Sequence, residues 1–506
     1  MPAKSSPLDI LPTSLLKACA DQFAVIVARL ANASFREGRF PACFKTAEVL
    51  PLLKKTDADR TNPANFRPIS NLSSISKVLE RLALAQLRPH LLSSDNFCPF
   101  QSGYRTGHST ETALLELLND VFIAGDDRRC TVVIGLDISA AFDTISHQTL
   151  LDRLQAEFGL CCTALDWIRS YLLDRKQYVK IGQHSSGLFD CRSGVPQGSV
   201  LGPLLFAAYV SPVGSVIESF GVRHQQYADD TQLYLSMRPN DPAHGLDVLR
   251  SCSTAVRDWY LTNDLLLNAD KSQAIVLGTA NQLRSASSID SVEVAGAVLS
   301  VETTLKLLGV TFDQRLTFND YAAAIVKSCN YHARAIRHVR HLLTKTVACT
   351  LACSLINSRL DYCNSLLYGA PASTIDKLQR AQNNAARAVL CESGRSDARP
   401  LLRQLHWLPV RQRITYKTAV LARRASTTGV PAYLKEHLVP RPATRHTRSA
   451  ALPLLTVPRL STDFARRSFS YAAPVTWNSL PANITLCDSE HGFKRQLKTF
   501  LFRQSA

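Results

Sequence analysis

The sequence predicts an α+β fold in which a small antiparallel sheet is backed by helices. Three observations lead there. Short β-branched and apolar runs at 131–137 (TVVIGLD), 222–227 (VRHQQY), 231–236 (TQLYLS) and 274–278 (AIVLG) read as strands. Neighbouring runs, 178–181 with 187–191 and 222–227 with 231–236, lie close enough in sequence to form hairpins. Strands and helical segments alternate without the regular βαβ rhythm of a parallel sheet, and beyond residue 310 the pattern turns helical.

Taken in order, residues 12–50 are predicted to be mostly helical, with apolar spacing through Leu15, Leu16, Phe23, Val27 and Leu30. A strand-like run from Val49 to Leu53 ends in Lys54 and Lys55, and the turn-rich loop TDADRTNPANFRPISN follows. Ser73 to Leu92 has amphipathic helical spacing through Ile75, Val78, Leu79, Leu82 and Leu87. The loop FQSGYRTGHS leads into a helix from Ser109 to about Ile123, capped by Thr110 or Ser109. The strand at 131–137 ends on Asp137, and SAAFDTISHQTLLDRLQ is predicted to follow as a helix. GVPQGS comes after the first hairpin, a helix is expected over 242–263, and 321–343 places Ala322, Ile325, Val326, Cys329, Ala333, Ile336, Val339 and Leu343 on one stripe with Lys327, Arg334, Arg337, His338 and His341 largely off it.

A chain of 506 residues has room for several domains and a substantial core. Its formal net charge is +17, and the distribution is uneven: residues 301–506 hold 30 Lys and Arg against 11 Asp and Glu. The front half is nearly neutral and the back half is a polycation, which points to a polyanionic partner, nucleic acid before an anionic membrane surface. The 14 cysteines are scattered without a paired framework, as expected of reduced thiols inside a cell. Cys349 and Cys353, preceded by His338 and His341, are read as buried structural cysteines on one helix face rather than zinc ligands. The N-terminus has no apolar core or cleavage signal, so secretion is not expected. The uncharged stretch GSVLGPLLFAAYVSPVGSVI is long enough for a bilayer, but Pro203, Pro212 and several Gly and Ser mark it as a buried loop, helix and turn, so no membrane span is expected.

The stretch YADDTQLY places Asp229 and Asp230 side by side at a hairpin tip. Aspartate favours turns, which is a sufficient reason for either residue alone. Asp137 changes the reading. A carboxylate at the end of one strand and two more at the tip of an adjacent hairpin can converge, and converging carboxylates repel unless a cation lies between them. Hard oxygen ligands of this kind suit Mg²⁺, and two such ions can activate an attacking hydroxyl and stabilise a leaving oxygen in phosphoryl transfer.

LDISAAFDTISH, SGVPQGSVLGPLLF, YADDTQLY, LNADKSQAIVLG and LKLLGVTFD occur in the order, and near the spacing, of successive reverse-transcriptase motifs. NPANFRPISN and FQSGYRTGHST match the two motifs that precede them. The set runs from about 40 to 315 and resembles the reverse transcriptase of LINE-type non-LTR retrotransposons of the Jockey superfamily. HWLPVRQRITYK and SYAAPVTWNSLP resemble the region such elements carry after the polymerase.

The resemblance implies a right-hand polymerase fold with an antiparallel palm sheet, fingers, a helical thumb and a basic C-terminal region. Its boundaries would be an N-terminal helical extension over 1–45, fingers and palm over 46–300, primer grip and thumb over 301–400, and the basic region over 401–506. Asp137 and Asp229 would be the principal ligands of two Mg²⁺ ions, or of Mn²⁺ in their place, with Asp230 completing the acidic cluster. Phe142 would be a steric gate against a ribose 2′-OH; otherwise it is a core aromatic on a helix. Gln197 and Gly198 would line the nucleotide and template, Arg105 and Arg67 would hold the incoming triphosphate, and Lys271 would protonate the departing pyrophosphate. Leu308 and Gly309 would grip the primer end.

The partners implied are an RNA template, a DNA primer or target, and deoxynucleoside triphosphates. The location implied is nucleus and cytoplasm. Elements of this kind begin with an apurinic-type endonuclease, whereas the polymerase blocks here start within the first 70 residues, so the resemblance implies a truncated element product or nicking by an endonuclease acting in trans. A maturase-like or host-adopted polymerase is the nearer rival, and the retroelement-type tail argues against it. The rival from another class is a catalytically inactive, element-derived nucleic-acid-binding protein, which the intact catalytic residue types disfavour.

Overall fold

The computed structural model describes residues 5–55, 58–139, 141–442 and 453–504. The chain forms two compact units, each assembled from separate segments: Met1–Tyr104, Asp137–Gly221 and Cys252–Ala269 in the first, and Arg105–Leu136, Val222–Ser251 and Asp270–Ala506 in the second.

In the first unit, two N-terminal helices, Thr13–Ala18 and Ala20–Arg36, end well short of the expected helical stretch. Pro41 and the short helical turn Ala42–Phe44 break the run, and a strand begins at Thr46 rather than Val49. That strand, Thr46–Leu53, pairs antiparallel with Phe66–Asn71, bringing Leu52 opposite Arg67. On its other side it pairs parallel with Arg175–Ile181, Glu48 opposite Tyr178. The two strands are joined by more than a hundred residues of helix and loop, which leaves room for the crossover that a parallel pairing needs. Helices Ser74–Leu92, His147–Ala156, Cys162–Leu172 and Gly202–Val210 supply a core that includes Leu79, Leu91, Leu154, Ile168, Phe206 and Tyr209. The uncharged stretch therefore forms a buried helix and a second short one, Val213–Glu218.

In the second unit, the hairpin Arg223–Tyr227 and Asp230–Met237 pairs with strand Cys130–Ser139 in a six-stranded sheet. The sheet is mixed: Ala297–Glu302 runs parallel to Leu266–Leu277. Helix Thr110–Asp126 has a capping box in which Ser109 accepts from the backbone N–H of Thr112 and the Thr112 hydroxyl accepts from that of Ser109. The long helices Asn319–Val339 and Ala372–Leu390 pack on each other; of the expected stripe Ala322, Cys329, Ala333 and Ile336 are buried while Val339 is exposed, and Lys327, Arg334 and Arg337 are exposed. Cys349 is half-buried and Cys353 exposed, which corrects the expectation that both lie in the core.

The C-terminal helices do not trail from the body of this unit. Helix Val410–Thr428 packs against Phe469–Asn478 and Glu490–Gln504, and Tyr433, His437, Ser461, Thr462 and Arg467 reach helix Thr110–Asp126. Tyr433 donates its hydroxyl to Thr112 at 3.1 Å, His437 meets Glu116 at 2.7 Å, and Asp126 accepts the backbone N–H groups of Ser461 and Thr462. The Arg467 guanidinium lies 4.9 Å from the centre of the Phe122 ring. Among the described residues, no helix is long and apolar enough to cross a membrane.

Candidate active site

The first unit carries Arg67, Asp137, Phe142, Gln197 and Gly198. Arg67 is exposed on strand Phe66–Asn71. Three residues on, the Ser70 N–H donates to the Gln197 carbonyl at 2.7 Å, so this strand holds the GVPQGS loop directly. Gly198 has φ +118°, and a Cβ there would lie 2.7 Å from the Ser70 carbonyl oxygen; both conditions call for glycine. The other end of the loop is tied to the segment after Asp137. Val195 N–H donates to the Phe142 carbonyl at 2.8 Å and Gly194 N–H to that of Ile145 at 2.8 Å.

Phe142 is not on a helix. The helix expected after Asp137 starts only at His147, with Ser146 as its cap, and residues 141–144 form turns. The loop contacts just described occupy the backbone groups that a continuous helix would use. Phe142 is half-buried, and its ring stacks on Phe206 with centroids 4.8 Å apart. One face is thus held by the core while the residue keeps access to solvent.

The loop has a further anchor, which the sequence reading missed. Glu80, fully buried on helix Ser74–Leu92, accepts the backbone N–H groups of Val200 at 2.7 Å and Leu201 at 3.2 Å. Its carboxylate also accepts from the Ser76 hydroxyl at 3.0 Å and the Tyr171 hydroxyl at 3.3 Å. A buried anion is tolerated when hydrogen bonds take up its lone pairs. The available signal was a glutamate at an apolar position of an amphipathic helix.

The second unit carries Arg105, Asp229, Asp230, Lys271, Leu308 and Gly309. Tyr227 pairs with Asp230, so the hairpin turn is Ala228–Asp229, with Ala228 at φ +59°. Asp229 sits half-buried in the turn, whereas Asp230 opens the return strand and is exposed. In the strand register Leu136 lies opposite Thr231. Arg105 is half-buried in the loop before Ser109, and Lys271 is exposed on strand Leu266–Leu277.

Leu308 and Gly309 form the tight turn between strands Thr304–Leu307 and Val310–Asp313, at φ +45° and +84°. The Tyr362 hydroxyl donates to the Leu308 carbonyl at 2.7 Å, and a Cβ on Gly309 would lie 3.1 Å from that hydroxyl. The neighbouring Leu307 side chain occupies the space that a Cβ on Gly135 would approach, at 3.2 Å. The turn is thereby seated over the central strand, and Tyr362 is a second residue that spacing did not reveal.

The acidic residues offer only carboxylate oxygens, a donor set that fits a hard divalent ion. Among the described residues, no group of three or more His, Cys, Asp or Glu is placed together to hold a metal.

Residues 53–312 match the family described as reverse transcriptase (RNA-dependent DNA polymerase). This chain belongs to the reverse transcriptase family. It is similar to a probable RNA-directed DNA polymerase from transposon BS of Drosophila melanogaster, 30% identical over 408 residues, covering 77% of this chain and 43% of that protein. It is also similar to the RNA-directed DNA polymerase from mobile element jockey of the same organism, 29% identical over 332 residues, covering 64% of this chain and 35% of that one. The reverse transcriptase described here thus spans less than half the length of these curated relatives. A solved structure of apo telomerase from Candida tropicalis aligns with a TM-score of 0.40 at 10% identity, covering 78% of this chain and 69% of that one.

Proposed function

We propose that this chain is an RNA-directed DNA polymerase of a non-LTR retrotransposon, extending a DNA 3′ end on an RNA template with deoxynucleoside triphosphates. The observation that carries the reading is the hairpin Arg223–Met237 of the second unit, whose turn holds Asp229 half-buried. Fingers and palm would lie within 46–300 and the thumb within 301–400, with 401–506 as a basic C-terminal region. Family membership and the names of the relatives support the assignment.

Asp137, Asp229 and Asp230 would hold two Mg²⁺ ions, or Mn²⁺ in their place; when bound, these ions would supply charge stabilisation for phosphoryl transfer. Arg67 and Arg105 would bind the triphosphate, Gln197 and Gly198 would line the nucleotide, and Phe142 would exclude a 2′-OH. Lys271 would deliver a proton to the departing pyrophosphate. Leu308 and Gly309 would hold the primer end. The protein would work in nucleus and cytoplasm.

Primer extension tests this reading: oligo(dT) on a poly(A) template, with Mg²⁺, with Mn²⁺ and with a chelator. Metal-dependent incorporation of dTTP is expected. Binding of the primer–template without extension under either metal would favour the inactive nucleic-acid-binding alternative.

A further inference from the structure

Strands Thr304–Leu307 and Val310–Asp313 form a two-stranded sheet of their own, separate from the six-stranded one. A ribbon this short does not hold its own position, so its packing decides where its turn stands. Its root is fixed by burial: Leu305, Leu307, Val310 and Phe312 are each 5% exposed or less. Its tip is less enclosed, with Leu308 half-buried and Gly309 exposed. Leu308 has φ +45°, a left-handed backbone that disfavours any side chain. Such a conformation persists where the surroundings impose it.

Tyr362 is what meets this tip. Its hydroxyl donates to the Leu308 carbonyl at 2.7 Å. Its ring lies against Gly309, where a Cβ would meet Cε1 at 3.4 Å and Cζ at 3.5 Å. Tyr362 is 41% exposed. Water would replace a hydrogen bond this accessible, so the bond contributes little to stability; what it fixes is the place of the turn.

Tyr362 is itself anchored. Its backbone carbonyl accepts the Tyr321 hydroxyl at 2.9 Å. The next residue, Cys363, is buried at φ +50°, with its sulfur 3.8 Å from the Thr110 hydroxyl. Ser365 donates its N–H and its hydroxyl to the Glu111 carboxylate at 3.0 and 2.6 Å. Thr110 and Glu111 open helix Thr110–Asp126. Farther along the same helix, Asp120 accepts the Arg223 Nε–H and the Tyr234 hydroxyl, each at 3.0 Å. Those two residues come one from each strand of the hairpin whose turn holds Asp229. A single helix thus carries both the catalytic hairpin and the segment that bears Tyr362.

We infer that Tyr362 is a positioning residue for the primer 3′ end: its phenol sets the Leu308–Gly309 turn at a fixed place relative to the Asp229 turn, through helix Thr110–Asp126. The inference rests on the proposed reading of Leu308 and Gly309 as the contact with the primer end.

The test compares the full-length wild type with Tyr362→Phe in extension of oligo(dT) on poly(A), measuring KM for primer–template and KM for dTTP separately. Phenylalanine keeps the ring and removes only the donor. KM for primer–template should rise by about twofold to tenfold, the worth of one neutral hydrogen bond, with KM for dTTP and the melting temperature unchanged. A primer–template with 2-aminopurine as the 3′-terminal base gives a spectroscopic readout. Its fluorescence in the complex should rise in the variant, because the terminal base is held less closely. Tyr362→Leu also takes the ring from Gly309 and should raise the same KM further. Equal primer–template KM and equal fluorescence in wild type and Tyr362→Phe would overturn the proposal and leave the polymerase reading standing. So would a rise in both KM values together with a lower melting temperature, which is the mark of general loosening. No extension by the wild type with Mg²⁺ or Mn²⁺ would remove the polymerase reading itself, and this proposal with it.

Discussion

The Glu80 carboxylate accepts the backbone N–H of Val200 at 2.7 Å, tying a fully buried anion to the chain two residues beyond Gly198. With Ser70 holding Gln197 from the other side, the loop expected to line the nucleotide is fixed by two separate elements. Glu80 is therefore a positioning residue. Glu80→Gln keeps the shape but replaces charge-assisted acceptance from Val200, Leu201 and Tyr171 by a neutral amide oxygen, with NH₂ facing the Ser76 hydroxyl. Hydrogen bonds to charged groups contribute about 1.5–3 kcal/mol, so KM for the incoming nucleotide should rise by about tenfold or more, with a smaller change in kcat. A lowered melting temperature with KM unchanged would leave Glu80 only a structural role.

Asp229→Asn should remove polymerisation while leaving template binding nearly intact. Loss of one ligand of a two-ion site costs several kcal/mol of barrier, on the order of a thousandfold in rate. Full extension activity in this variant would end the assignment of the hairpin turn as a metal site.

Phe142→Val and Phe142→Ala should raise ribonucleotide relative to deoxynucleotide incorporation, because the ring is the bulk beside the expected sugar position. Both also weaken the stacking on Phe206, so the informative quantity is the ratio rather than the rate. An unchanged ratio with activity retained would make Phe142 a packing residue alone.

Acid should destabilise the second unit through His224. This side chain is 2% exposed on strand Arg223–Tyr227, and burial, helped by the neighbouring Arg223 charge, lowers its pKa to about 4. The unfolded chain takes up the proton near pH 6.5, so between about pH 6.5 and 4 it binds more protons than the folded one. Stability therefore falls as pH drops through that window, by about 2 kcal/mol at pH 5 from this residue. Thermal melting of wild type and His224→Gln across pH 5–7 should give a shallower slope in the variant; equal slopes would show that His224 is not the titrating group.

Long-range attraction for nucleic acid should come from the back half, where the charge lies. Replacing the exposed Lys327, Arg334 and Arg337 by Gln should weaken binding and reduce the slope of log affinity against log salt, by up to about 0.9 for each phosphate no longer neutralised. An unchanged slope would leave these cations merely solvated. Truncation after residue 400 removes a net +13 but also the partners of Glu116, Thr112 and Asp126 on helix Thr110–Asp126. That variant should lose melting temperature as well as affinity.

Local patterns determined much of this protein. The hairpin around Asp229, the cap at Ser109, the helix Ser74–Leu92 and the order of the chemical residue types were all legible, because turn chemistry, capping and periodicity depend on residues a few positions apart. The helix drawn through Phe142 failed for the complementary reason. Its periodicity is helical, but backbone donors from Gly194 and Val195, some fifty residues away, claim the carbonyls that helix would have used. Only tertiary structure decided that Thr46–Leu53 runs parallel to Arg175–Ile181, that Glu80 holds Val200, that Tyr362 holds Leu308, and that Tyr433 reaches helix Thr110–Asp126. Each of these joins positions from about fifty to more than three hundred residues apart. A single sequence records which groups want burial or a hydrogen bond, whereas the choice among distant partners that satisfy the same want is made by packing the whole chain at once.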